Sequence, residues 1–101
     1  MKLLLITAIH EFEKNIKDIL THSGVKVFSY SEVKGFKING GSLSSENWFS
    51  SGIAESDSLM FTVFVDDNFV DLIYERIQRF NNKQEFQSKI HIATLALENF
   101  A

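Results

Sequence analysis

The spacing of apolar residues changes repeatedly along the chain, and each change marks the edge of an element. Lys2 to Ile9 is short and almost continuously apolar, the pattern of a strand covered on both faces. From Glu11 to Ser23 the period becomes helical: Phe12, Ile16, Ile19 and Leu20 form one stripe, with Glu13, Lys14, Lys17 and Asp18 on the other side. Glu11 and Glu13 fall in the first turn, where negative charge suits the helix dipole, and Gly24 stands where a helix-terminating glycine belongs. Strand character returns from Val25 to Phe36 through Val25, Val27, Phe28, Tyr30 and Val33. Leu59 to Val65 is a third strand without a polar face. Asp66, Asp67 and Asn68 supply capping chemistry to a second helical stripe, Phe69, Val70, Ile73, Ile77 and Phe80, that runs to about Asn82. "NNKQEFQSK" reads as a connector, and Ile90 to Leu97 as a fourth strand.

Between the second and third strands the periodicity disappears. Residues 37 to 58 hold seven serines and three glycines, and their apolar residues follow no repeat. Loops longer than about 12 to 15 residues in a compact domain are usually functional or disordered, which makes this segment the first place to look for activity.

The order strand, helix, strand, strand, helix, strand predicts an α+β ferredoxin-like βαβ-βαβ sandwich, one domain over residues 1–101. Its four-stranded antiparallel sheet carries both helices on one face. The strands look apolar on both faces, so a lone chain would leave a large apolar patch in water, and a self-assembly that buries it is expected.

Composition narrows the function. At 101 residues, 45% hydrophobic and 23% charged, the chain fits one ordinary globular core. Ten Lys and Arg against thirteen Asp and Glu give a formal net charge of −3, which provides no bulk positive field for a phosphate backbone and argues against nucleic-acid binding. The lack of cysteine removes disulfides, thiolate metal sites and cysteine nucleophiles, and fits a reducing compartment. "MKLLLITAIHEFEK" stops short of a signal-peptide core, and no run approaches the roughly 20 apolar residues of a bilayer span, so a cytoplasmic location is expected.

One segment carries a family likeness. "EVKGF", Glu32 to Phe36, resembles the stretch that opens the T-loop of PII nitrogen regulatory signalling proteins. The length from the first strand through Gly24 to Glu32, "VDD" before the second helix, and "KIHIATLALENF" at the last strand are similar to that family's pattern. The resemblance covers nearly the whole chain outside 37–58. It implies a compact homotrimer whose sheets line a central core, and small-molecule effectors, nucleotides or related metabolites, bound in clefts between subunits. It further implies a T-loop, here about 37–58, that docks onto a protein partner such as a membrane transporter. Carried over by position, Gly35 and Phe36 would lie at the cleft with Gly35 as the hinge of the loop, and Lys89 matches a phosphate-contacting lysine.

The chain also departs from the family pattern. Lys37 stands where the family has a glycine, and Asn39 where it has a glutamine that helps hold metal and nucleotide. Gln87 and Ser88 replace residues whose backbone amides cradle phosphates, and the chain ends at Ala101, before the family's phosphate-binding arginines. Lys89 and Lys37 are left as the cationic grip, so weakened binding of Mg-ATP is expected and the ligand stays unknown. The loop has no tyrosine to modify, since Tyr30 and Tyr74 fall on scaffold elements.

Other chemistry finds little footing. His10, His22 and His91 share no ligand spacing and read as surface or cap residues, although symmetry could gather one from each subunit. Asp66 and Asp67 read as caps rather than a catalytic carboxylate pair, and no serine has a nucleophile-elbow context. The expectation is a regulatory protein rather than an enzyme. A metal-binding trimer and a small enzyme with intersubunit active sites remain as alternatives. Trp48 and Phe49 are costly to expose in a polar segment and are candidate anchors for a partner.

Overall fold

In the computed structural model, which describes residues 1–36, 55–85 and 88–101, the elements follow the expected order. They are β1 (Lys2–Ile9), a short 3-10 turn (His10–Phe12), α1 (Glu13–His22), β2 (Ser29–Phe36), β3 (Glu55–Val65), α2 (Asp67–Lys83) and β4 (His91–Ala96). The four strands form one antiparallel sheet in the order β2-β3-β1-β4, the ferredoxin-like arrangement.

Strand alternation explains the core. On the helix-covered face, Leu4, Ile6 and Ala8 of β1 lie opposite Val63, Phe61 and Leu59 of β3, and all six are buried. Ile16 and Leu20 from α1 and Ile73 and Ile77 from α2 pack down onto them. The helices are joined at one end by Phe12 and Phe80, whose rings meet edge to face at 5.0 Å. Phe61 sits at the centre, stacked on Tyr30 at 4.9 Å and tilted against Phe28 at 5.8 Å, so it ties β2 to the rest of the sheet.

The expected α1 terminus holds. Gly24 has φ of +94°, a left-handed conformation that glycine adopts without a Cβ penalty, and the Val25 amide bonds back to the Leu20 carbonyl at 3.0 Å. A Cβ at Gly24 would come within 3.1 Å of the Phe69 ring, which lets α2 approach closely there.

Four expectations need correction. β3 begins at Glu55, four residues earlier than the apolar pattern suggests, because "ESDS" pairs with β2 from Phe36 to Val33. β2 begins at Ser29 rather than Val25, since Val25 and Phe28 pack against the core from outside the ladder. Asp66 occupies the N-cap position of α2 without a side-chain cap bond, and Asp67 instead accepts from the Met1 ammonium at 3.0 Å. Asn81 to Lys83 belong to α2 rather than to a connector.

The uncovered face is less uniform than the strand sequences imply. By register it presents Leu3, Leu5, Thr7 and Ile9 from β1, Ser58, Met60, Thr62 and Phe64 from β3, and His91, Ala93 and Leu95 from β4. Thr7 and Ser58 are buried within it, while Phe64 is 57% exposed and Leu95 is exposed beside it. Polar residues thus occupy the end where β3 begins, and apolar ones the end where it finishes.

Candidate functional site

A cleft of about 660 Å³ opens at the end of the sheet where β1 and β2 finish and β3 and β4 begin. It is lined by Ile9, His10 and Glu11 after β1, Glu32 to Lys34 of β2, Ser56 to Ser58 of β3, and Ser88 before β4. Its position follows from topology: antiparallel pairing brings the end of β2 against the start of β3, beside the turn that leads from β1 into α1.

Charge within the cleft is organised by one pair. Lys34 Nζ donates to Asp57 Oδ1 at 2.5 Å across the β2–β3 ladder. That hydrogen bond, then the Lys34 charge and more weakly His10, hold the Asp57 carboxyl below its ordinary value. His10 Nε2 lies 3.9 Å from Glu13 Oε1. Glu13 is in turn held low, first by its 2.7 Å bond from Lys17, which also donates to the Tyr30 hydroxyl at 2.8 Å. On the polar floor, the Ser56 and Ser58 hydroxyls are 3.0 Å apart.

The approach to β4 is fixed by a side-chain clasp that the sequence does not announce. Asn81 donates from Nδ2 to the Ile90 carbonyl at 2.9 Å and accepts from the Ile90 amide at 2.9 Å, imitating a strand pairing between α2 and the chain before β4. Gln84 Nε2 adds a bond to the Ser88 carbonyl at 2.8 Å. Lys89 Nζ donates to the Asn81 carbonyl at 2.9 Å, neutralising the carboxyl-terminal end of α2.

The expected site residues divide as follows. Ser88 lines the cleft. Gly35 is buried within β2 opposite Ser56, with the ladder continuing to Phe36 opposite Glu55, so the strand does not break at Gly35 as a hinge there would require. Phe36 is exposed at the strand end. Lys89 caps α2 in this structure instead of facing the cleft lining. Lys37, Asn39, Gln87, Trp48 and Phe49 lie outside the described residues. His10 borders the cleft, His22 bonds through Nδ1 to the Asp18 carbonyl at 2.8 Å as a helix-end residue, and His91 opens β4. Among the described residues there is no group of three or more His, Cys, Asp or Glu placed to hold a metal, and no helix is long and apolar enough to cross a membrane.

Sequence reasoning missed His10, Glu11, Glu32, Lys34, Ser56 and Asp57 as lining residues. In the sequence Glu55, Ser56, Asp57 and Ser58 read only as a polar run, and the register that places Asp57 opposite Lys34 appears only in the folded sheet.

Comparison with known proteins gives a consistent picture. The family model for nitrogen regulatory protein P-II matches residues 1–97. No curated protein matches the chain. Among solved structures, CPII from Thiomonas intermedia K12, a nitrogen regulatory PII-like protein bound to ADP, AMP and bicarbonate, is similar with a TM-score of 0.61 and 17% identity, over 97% of this chain and 94% of that one. A second CPII structure, bound to ADP and bicarbonate, has a TM-score of 0.62 at 17% identity over 97% and 88%. A DUF3240 family protein from Shewanella baltica OS155 reaches a TM-score of 0.68 at 12% identity, over 99% of this chain and 92% of that one. At these identities the solved structures show a shared fold.

Proposed function

Because this chain belongs to the nitrogen regulatory protein P-II family, we propose that it is a cytoplasmic, non-catalytic homotrimer that senses a small ligand between subunits and signals to a protein partner. The carrying observation is the position of the cleft. Its walls are the end of β2 and the start of β3, the two strands between which residues 37–54 leave and rejoin the sheet. A ligand seated there touches both of the strands that flank residues 37–54 in sequence, and this is the route by which occupancy would be communicated to that segment.

The ligand class is a nucleotide or related metabolite. CPII, which shares the fold, binds ADP, AMP and bicarbonate, and the cleft is large enough for a small molecule of that kind. Gly35, Phe36, Lys37, Asn39, Gln87, Ser88 and Lys89 are the proposed contacts across the subunit boundary. For Lys89 this requires exchanging its bond to the Asn81 carbonyl for one to the ligand. Trimer formation covers the apolar part of the open face, including Leu3, Phe64 and Leu95. Trp48 and Phe49 are the proposed anchors on the partner, for which a membrane transporter is the leading class.

A thermal-shift panel of ADP, AMP, ATP, bicarbonate and divalent ions tests the sensing role. At least one nucleotide or bicarbonate raises the unfolding midpoint, and Ser88→Trp, which fills the cleft from an existing wall, removes that shift. A trimer whose midpoint no member of the panel moves, with pull-downs unaffected by Trp48→Ala and Phe49→Ala, rejects the proposal.

A further inference from the structure

The described walls of the cleft carry three carboxylates, Glu11, Glu32 and Asp57, the imidazole of His10, and one ammonium, Lys34. An oxyanion entering the cleft needs that ammonium. Lys89 is turned to the Asn81 carbonyl at 2.9 Å and is not on these walls, and His10 lies toward Glu13 with 3.9 Å between Nε2 and Oε1. Yet Lys34 is already engaged: its Nζ donates to Asp57 Oδ1 straight across the β2–β3 ladder, where the two residues are register partners. That bond is easy to exchange. Both side chains are largely exposed, 68% for Lys34 and 74% for Asp57, and an ion pair so open to water contributes little to stability. Both also line the cleft, so an anion within it competes for the ammonium where it stands.

We propose that Lys34 is the contact for an oxyanion of the cleft's ligand, a phosphate or a carbonate, and that Asp57 is an internal stand-in which this group displaces. The inference rests on the sensing role proposed above and gives it a residue and a switch. The binding-competent state is the one in which Asp57 has let go, and apparent affinity is reduced by the fraction of chains in that state. The exchange also reaches the strands. Lys34 and Asp57 stand two rungs before the ladder ends at Phe36 and Glu55, the residues that flank 37–54 in sequence. Displacing Asp57 therefore removes a side-chain tie between β2 and β3 at that end of the ladder.

NMR chemical-shift titration at pH 7 and fixed ionic strength tests this, with AMP as the phosphate probe and bicarbonate, in separate runs, as the carbonate probe. The chains compared are the unchanged protein, Asp57→Asn, Lys34→Gln and Glu32→Gln, each checked for folding by circular dichroism. Asp57→Asn should bind about two- to fivefold more tightly, the strength of an exposed ion pair expressed as a ratio of Kd values. Lys34→Gln should bind roughly tenfold or more weakly, because it removes the charged donor. Glu32→Gln is the control for the general field of the cleft: it removes the same charge from the same walls, but Asp57 is the carboxylate bonded to Lys34, so its gain should be the smaller. The probe that shows this pattern identifies the oxyanion. If Asp57→Asn weakens binding or leaves it unchanged, or if Glu32→Gln gains as much, the inference is wrong and the sensing role stands. If neither probe binds the unchanged chain or Asp57→Asn, Lys34 holds no oxyanion and the inference falls, while the thermal-shift panel decides the sensing role separately.

Discussion

Phe61→Ala tests the claim that the β2–β3 hairpin, and with it the cleft, is held by the core. Phe61 is fully buried, faces Ile6 across β1, stacks on Tyr30 and leans on Phe28. Truncating a buried phenylalanine costs about 3 to 5 kcal/mol, the lost transfer energy plus the cavity that remains. The two aromatic contacts place this site toward the upper part of that range, because each such pair adds roughly 0.5 to 1.5 kcal/mol beyond area burial. Against a total of about 5 to 15 kcal/mol for a domain, the variant should be close to unfolded in water or fold only at low temperature. Urea unfolding followed by circular dichroism, at one fixed protein concentration so that the proposed assembly enters every variant equally, gives the number. Phe61→Leu keeps most of the volume and should lose clearly less than Phe61→Ala. A Phe61→Ala loss below about 1 kcal/mol would show that β2 is held by something other than this ring stack, since an ordinary exposed substitution costs as little.

Asn81→Ala should destabilise by about 1 to 3 kcal/mol in the same urea assay, because it orphans the amide and carbonyl of the buried Ile90. Asn81→Asp, which retains the acceptor alone, should fall between. Gly24→Ala should lower the melting temperature, with a cost of about 1 kcal/mol for the left-handed backbone before the Phe69 contact is counted; an unchanged midpoint would mean the loop relaxes to negative φ. Asp57 has a folded-state pKa below its ordinary 3.8, so its pairing with Lys34 contributes stability above that value and loses it as pH falls through the lower folded value. Carboxyl NMR titration should place the Asp57 midpoint below 3.8 in the unchanged chain and return it toward 3.8 in Lys34→Ala.

Much of this fold is legible because burial writes itself into the sequence. The Phe12, Ile16 and Leu20 stripe and the Phe69, Ile73, Ile77 and Phe80 stripe identify α1 and α2, and Lys2 to Ile9 matches β1 end to end. Segments shaped by backbone pairing rather than by apolar burial leave no such period. Residues 55–58 are a strand because β2 offers a ladder, and no hydrophobic period betrays that. The same limit hid most of the cleft lining, whose polar residues meet only when the strands are in register. Asn81 is a similar case: its amide reads as connector chemistry in sequence, yet in space it substitutes for a missing strand partner. Ser88 does line the cleft, whereas the local acceptor that Lys89 finds at the end of α2 has no counterpart in the sequence pattern.

The open face has a gradient, and the gradient separates tasks. Near the cleft Ser58, Thr7 and His91 are interspersed with Ile9 and Met60, whereas toward the other end Leu3, Phe64 and Leu95 lie side by side on three adjacent strands with no polar residue between them. Apolar area contributes to association in proportion to what is buried, so in the proposed assembly the grip between copies would concentrate at the Leu3–Phe64–Leu95 end. The cleft end, with buried Thr7 and Ser58 and the paired Lys34 and Asp57, contributes less to adhesion. Weak adhesion there is what a responsive site needs, because a ligand can shift an equilibrium only by its differential affinity for two arrangements, and a loosely held boundary keeps those arrangements close in energy. Phe64→Ser, exposed in the isolated chain, should therefore dissociate the assembly without unfolding the subunit, while Ser56→Ala at the cleft end should leave the assembly intact. Light scattering beside circular dichroism distinguishes the two outcomes, and dissociation by the cleft-end substitution instead would invert the assignment of the two ends.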